Sequence, residues 1–129
     1  MENFKVAVSL GEVLDKITIL EIKLDSITAA DKRGHIRQEL KALRKCRNQA
    51  IPESLVLDRL STDLKAINRR LWAIEDEIRE HERDQKFDQR FVTLARSVYQ
   101  NNDRRAALKA QINALFGSTV VEEKSYPEY

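Results

Sequence analysis

The chain has 129 residues, of which 34% are charged, yet its net charge is only +2. It is long enough for a real core, and that balance is too small to argue by itself for binding to nucleic acid. Three Gly and two Pro are too few for the turns of an all-β fold, and the single Cys46 excludes an internal disulfide framework or a multi-cysteine zinc site.

No apolar run approaches the ~20 residues of a membrane span. Residues 1–8 include Glu2 and lack the long apolar core of a signal peptide. A soluble cytoplasmic protein, forming one domain over residues 1–129, is the expectation. Residues 4–8 are short, apolar and predicted extended. Ser9 and Glu12 then form a capping box, in which each side chain can accept from an orphaned amide, with Val8 and Val13 as the hydrophobic staple.

The first helix is predicted over residues 10–29. Its main stripe is Leu10, Val13, Ile17, Leu20, Leu24 and Ile27. Leu14, Ile19 and Ile22 widen the stripe, so this helix should touch more than one neighbour. Asp31 is the candidate cap for a second helix over 32–50, which must end before Pro52. Its apolar stripe is thin, and residues 31–50 hold seven Lys or Arg against two acids, a local balance of +5. Arg37, Lys41, Arg44 and Lys45 form a basic face there. As plain structure this is a solvated face. As function it would dock an acidic partner such as an anionic polymer.

The third helix is predicted over 53–83, with Pro52 suited to its first turn. Leu57, Leu60, Leu64, Ile67, Leu71, Ile74, Ile78 and His81 follow one another at steps of three and four. So narrow a stripe has the period of a coiled-coil seam and must face other helices. Residues 75–84 hold six acids and two bases, a balance of −4. After a turn near 85–87, Asp88 should cap a fourth helix over 88–116, with Phe87 and Val92 as staple and Gly117 as its stop. An irregular tail occupies 117–129. The expected fold is therefore all-α: an antiparallel four-helix bundle with two long C-terminal helices. Those two span roughly 45 Å against roughly 30 Å for the first pair, which leaves one end uncovered and argues for a homodimer.

The seam of the fourth helix runs Phe91, Leu94, Val98, Asn101, Arg105, Leu108, Ile112 and Leu115. Two of its middle positions are polar, inside the run Asn101, Asn102, Asp103, Arg104, Arg105. Burying such groups costs several kcal/mol unless they are partnered, so acids are expected opposite: Glu12, Asp15, Glu21, Glu75 or Asp76. One reading is an ion-pair network that fixes bundle register. The other is an interhelical pocket where Arg104 or Arg105 grips a small anion, with Lys16 and Arg79 nearby and the tail residues Glu122, Glu123 and Lys124 folded over it.

Other chemistry is sparsely supported. His81 reads as a satisfied helix-end histidine, and Ile78 stands where a Glu-x-x-His metal motif needs its acid. Glu12 with Asp15, and Glu77 with Glu80, resemble fragments of the acidic pairs by which all-α nucleotide pyrophosphatases hold magnesium. Cys46 has basic neighbours but no base or acid placed to complete a nucleophilic set. Glycine-rich phosphate loops are missing, and no cofactor or metal is implied.

Gly11-Glu12, Asp15-Lys16-Ile17-Thr18-Ile19-Leu20, Lys23, Trp72, Ile74-Glu75-Asp76, Ile78-Arg79, Asn102-Asp103-Arg104-Arg105 and Glu122-Glu123-Lys124-Ser125-Tyr126 together resemble a bacterial family of short helical proteins classed as a domain of unknown function. The resemblance spans nearly the whole chain. It implies a gene neighbourhood of surface-polysaccharide and glycosyltransferase functions, and no activity. A weaker similarity links the first helix to the all-α chorismate mutases, whose pocket holds a dicarboxylate with arginines. Here Lys16 and Lys23 are the only bases in that helix, a departure from the pattern. The expected function is a helical binding or adaptor protein linked to surface-polysaccharide biosynthesis. The alternatives are an enzyme or sensor for a small anion and a magnesium-dependent nucleotide pyrophosphatase.

Overall fold

The structure, a computed structural model, describes residues 3–117. Within them the chain forms four helices and no strand: α1 (Leu10–Ser26), α2 (Ala30–Ala50), α3 (Leu55–Arg83) and α4 (Gln89–Leu115). The predicted tail contacts of Glu122, Glu123 and Lys124 lie outside the described residues. Residues 3–8 have no regular structure, and Phe4 and Val6 are exposed.

Side-chain caps set three of the four helix starts. Ser9, in extended backbone, accepts from the Glu12 amide at 3.2 Å. The Glu12 carboxylate, however, reaches across to Lys109 at 2.7 Å. Ser54 accepts from the Leu57 amide at 3.2 Å and Asp88 from the Phe91 amide at 3.0 Å. The α2 start differs from expectation. Ala29 precedes it with no side-chain cap, and Asp31 sits inside the first turn, where its charge suits the positive end of the helix. Pro52 likewise falls in the connector before α3, because Ser54 supplies the cap two residues later. The staple partner of Phe87 is Phe91, edge-on at 5.2 Å, while Val92 is exposed.

α1 stops at Ser26, short of residue 29, where Ile27 turns extended. The Arg33 guanidinium of α2 donates to the carbonyls of Leu24 and Ile27, the latter at 2.9 Å, and so satisfies the end of α1. Between α3 and α4 the Lys86 amide returns to the His81 carbonyl at 2.9 Å and the Gln85 amide to Glu82 at 3.1 Å. That is a Schellman turn with Gln85 in the left-handed region at φ 53°.

α3 and α4 form an antiparallel hairpin, since Glu77 meets Arg90 and Asp63 lies near Gln111. α1 lies across this pair and runs antiparallel to α4: Gly11 meets Asn113, Glu12 meets Lys109, and Asp15 meets Arg105. α2 approaches α1 alone at close backbone range. The bundle is thus a three-helix unit with α2 laid on its first helix. The core joins Leu14, Ile17 and Leu20 of α1 to Ile36 and Leu40 of α2, Leu57 and Leu64 of α3, and Ile112 of α4. Leu14 and Ile22, off the predicted main stripe, are buried more deeply than Leu10, Val13 or Leu24, because α1 has helices on three sides. Gly11 lets α1 and α4 touch: a Cβ there would meet the Lys109 carbonyl oxygen at 2.7 Å.

At 1.5 Å per residue, 17-residue α1 is about 25 Å long and 29-residue α3 about 43 Å. The far half of the hairpin is therefore two helices only. The α3 seam follows this: Leu57, Leu64 and Ile67 are buried, whereas Leu71, Ile74, Ile78 and His81 are half-buried.

Candidate functional site

Asp15 projects from α1 into the angle between α3 and α4 and is 2% exposed. An unpaired carboxylate there would be costly, and the neighbours supply what it needs. Arg105 grips it with two nitrogens, Nε donating to Oδ1 at 2.9 Å and Nη2 to Oδ2. Asn68 of α3 donates to the same Oδ1 at 2.9 Å and to Thr18 Oγ1 at 2.8 Å. Thr18 in turn donates to the Asp15 carbonyl oxygen at 2.8 Å. One turn along, buried Lys109 pairs with Glu12, and Asn113 Oδ1 accepts from the Gly11 amide at 2.7 Å. Three helices are thus stitched by one polar seam.

The seam forms a wall of a cleft of about 480 Å³ that opens where α1 ends. Ile19, Ile22, Leu71, Trp72 and Val98 give it apolar surface. Asn68, Asn102, Arg105, Glu75, Asp76 and Arg79 give it polar groups. Arg79 Nε lies 3.5 Å from Glu75, one turn away on the same helix. A second cleft of about 620 Å³, which the sequence reading did not anticipate, lies between α1, α2 and α3. Glu21 bridges Arg44 at 2.7 Å and Lys65 at 3.5 Å along it.

The predicted site residues divide. Asp15, Arg105, Asn102, Glu75 and Arg79 come together at the cleft, with Glu12 one turn away. Asn101 is buried beside them in sequence, but its amide donates to the Ser97 carbonyl at 2.8 Å, and its Oδ1 is buried without a partner among the described residues. Asp103 and Arg104 are exposed, and Arg104 lies by Asp63 and Arg70 at a hollow the cleft does not share. A helix turns about 100° per residue, so two consecutive arginines cannot share one target. Lys16 faces α2, where it pairs with Glu39 at 2.6 Å. Reading by residue missed Asn68, Thr18, Lys109 and Asn113.

The two acidic pairs considered for magnesium lie far apart. Glu12 and Asp15 are held by Lys109 and Arg105, while Glu77 is held by Arg90 at 2.5 and 2.9 Å. From Arg90 to Arg105 is about 22 Å along α4. Among the described residues no three His, Cys, Asp or Glu are grouped as metal ligands. The Arg90 hydrogen bond holds the Glu77 carboxyl below its ordinary value, and Arg90 is raised in return. The Phe91 amide does the same to Asp88. His81 donates from Nδ1 to the Glu77 carbonyl at 2.9 Å and lies 3.6 Å from Asp88, so it is satisfied locally.

The fold and site together define an all-α bundle protein with a buried carboxylate–guanidinium–amide seam beside an open, partly apolar cleft. No helix among the described residues is long and apolar enough to cross a membrane. The chain belongs to a family of unknown function (DUF6165), whose model matches residues 4–128. No curated protein and no solved structure matches it.

Proposed function

We propose that this chain is a non-catalytic binding module, an adaptor in surface-polysaccharide biosynthesis, that takes a sugar-bearing molecule in the cleft between α1, α3 and α4. The observation that carries the reading is the make-up of the cleft wall. Trp72 and Leu71, both half-buried, offer apolar surface over the buried Ile22, and Asn68, Asn102, Glu75 and Asp76 line the same cleft with hydrogen-bonding groups. A sugar ring has an apolar CH face and a rim of hydroxyls, the complement of such a wall. The gene neighbourhood implied by the sequence resemblance points to the same ligand class. In this reading the module works as a homodimer.

The small-anion reading has less support, because Asp15 already neutralises Arg105 and Glu75 lies against Arg79. The candidate nucleophiles are spoken for or remote: Ser9 caps α1, and Cys46 is exposed on α2 outside both clefts.

Thermal-shift measurements against neutral sugars, sugar nucleotides, inorganic phosphate and dicarboxylates, each with and without magnesium, test the proposal. A ligand at 100 times its dissociation constant adds about 2.7 kcal/mol of stability, which such an assay resolves. Stabilisation by sugars or sugar nucleotides that Trp72→Ala removes is the expected result. Stabilisation by phosphate or dicarboxylates alone would restore the anion reading, and a magnesium-dependent nucleotide effect would restore the pyrophosphatase.

A further inference from the structure

Three cations stand on the outward side of α2 at one-turn spacing: Arg37, Lys41 and Lys45. All are exposed, and none has an ion-pair partner among the described residues. Glu39, the one acid between the first and last of them, points elsewhere, to Lys16 of α1. Three acids repeat the same spacing at the far end of α3: Asp76, Glu80 and its C-cap Asp84. They too are exposed and without an ion-pair partner among the described residues. Arg79 and Arg83 flank this acidic row, and Arg79 turns to Glu75. Each row steps by four residues twice and so covers about 12 Å of helix. Within one copy the rows form no ion pair: α2 meets α3 near the start of α3, where Arg47 lies 4.0 Å from Asp58, and Asp76 stands about 27 Å further along that helix.

We infer that the two rows recognise each other between copies: α2 of one protomer docks on the far end of α3 of its partner. This rests on the homodimeric reading above and names its surface. The complementarity is in register as well as in sign. Rows along the i, i+4 direction are the ridges that interdigitate in the commonest class of helix packing, with axes crossing at about −50°. Each copy carries one row of each sign, so a single two-fold axis forms the contact twice. The acidic row stands where the hairpin runs past α1, so the partner's α2 would cover the two-helix end of the bundle.

Sedimentation velocity of the intact chain tests this across a salt series. At about 0.01 M salt, where charges act over about 30 Å, a dimer is expected; at 1 M, where the range is about 3 Å, a monomer. The triple variants Arg37→Glu/Lys41→Glu/Lys45→Glu and Asp76→Lys/Glu80→Lys/Asp84→Lys should each be monomeric at low salt. Mixed together they should restore the dimer, because every row again faces its opposite. Circular dichroism of each variant separates lost folding from lost association. A dimer unmoved by salt and by both variants overturns the proposed surface and leaves the homodimer standing. A monomer at every salt concentration overturns both.

Discussion

Asp15 is the residue whose environment decides most. It is buried, it is charged, and its partners come from two other helices. Removing one member of a buried pair leaves the other without its counter-charge, at a cost of 3–5 kcal/mol in well-buried cases. The Arg105 side chain keeps 29% exposure, so Arg105→Ala should cost about 3 kcal/mol, measured by urea unfolding. Arg105→Lys should recover only part of that loss, since an ammonium cannot span both carboxylate oxygens. Gly11→Ala should cost about 1–3 kcal/mol because the new methyl meets the α4 backbone, which has no room to yield. Gly34→Ala, where nothing lies within 4 Å, should stabilise by about 0.5–1 kcal/mol and serves as the control. How far such residues could be read in advance depended on their row. Arg105 was legible because a charge on an apolar seam demands a partner, and Asp15 was one of five acids named as that partner. Asn68 and Lys109 were missed because each stands one position from a seam residue, Ile67 and Leu108, on a flank that only a third helix makes internal. The signal that would have exposed them is the i, i+4 row Arg105, Lys109, Asn113 facing Asp15, Glu12 and Gly11 in antiparallel order.

Among the elements, two of the three with a side-chain cap began at the cap the sequence named, whereas α3 begins at Leu55 behind Ser54, a cap the sequence reading passed over. Ser9 and Asp88 were read correctly because the local chain alone determines a cap. The end of α1 was misplaced because Arg33 of α2 closes it, a tertiary effect with no local signature, and the α2 start because Ala29 precedes it with no side-chain cap to read. The α3–α4 turn carries its own test. Gln85 holds a left-handed conformation that disfavours residues with a Cβ. Gln85→Gly should therefore raise stability by about 1 kcal/mol, despite losing the side-chain bond to the Glu82 carbonyl. Acid should act on the same end. Glu77 and Asp88 are held below their ordinary values of 4.5 and 3.8, so the native state binds fewer protons than the unfolded one. Their stabilisation is complete above those values and is lost as pH falls through the depressed ones. Asp88→Asn keeps a capping oxygen but cannot titrate, so its melting temperature should fall less steeply than the wild type's between about pH 5 and about pH 1.

At the scale of the whole molecule, the cleft follows from unequal lengths. α1 runs out about halfway along the hairpin, and the surfaces it would have covered become the walls that hold Trp72, Val98 and Asn102. The same mismatch makes the bundle unevenly stable. Near Leu57, Leu64 and Ile112 the core has helices on every side and each of these side chains is fully buried. Near His81 and Phe91 it has two helices and half-buried rings. Local opening free energies track the apolar contacts that must break, so in the monomer, at high salt, hydrogen exchange should grade along α3 within one continuous helix. Amides around Leu64 and Ile67 should exchange only through global unfolding, and those around Ile78 and Glu82 through a smaller, local opening. A ligand seated against Trp72 would slow exchange at residues 71–76 first, because it fills the place α1 vacates. Uniform protection from residue 57 to 83 in the free chain would mean that something else covers the far end, and the partner's α2 is the candidate the charge rows supply.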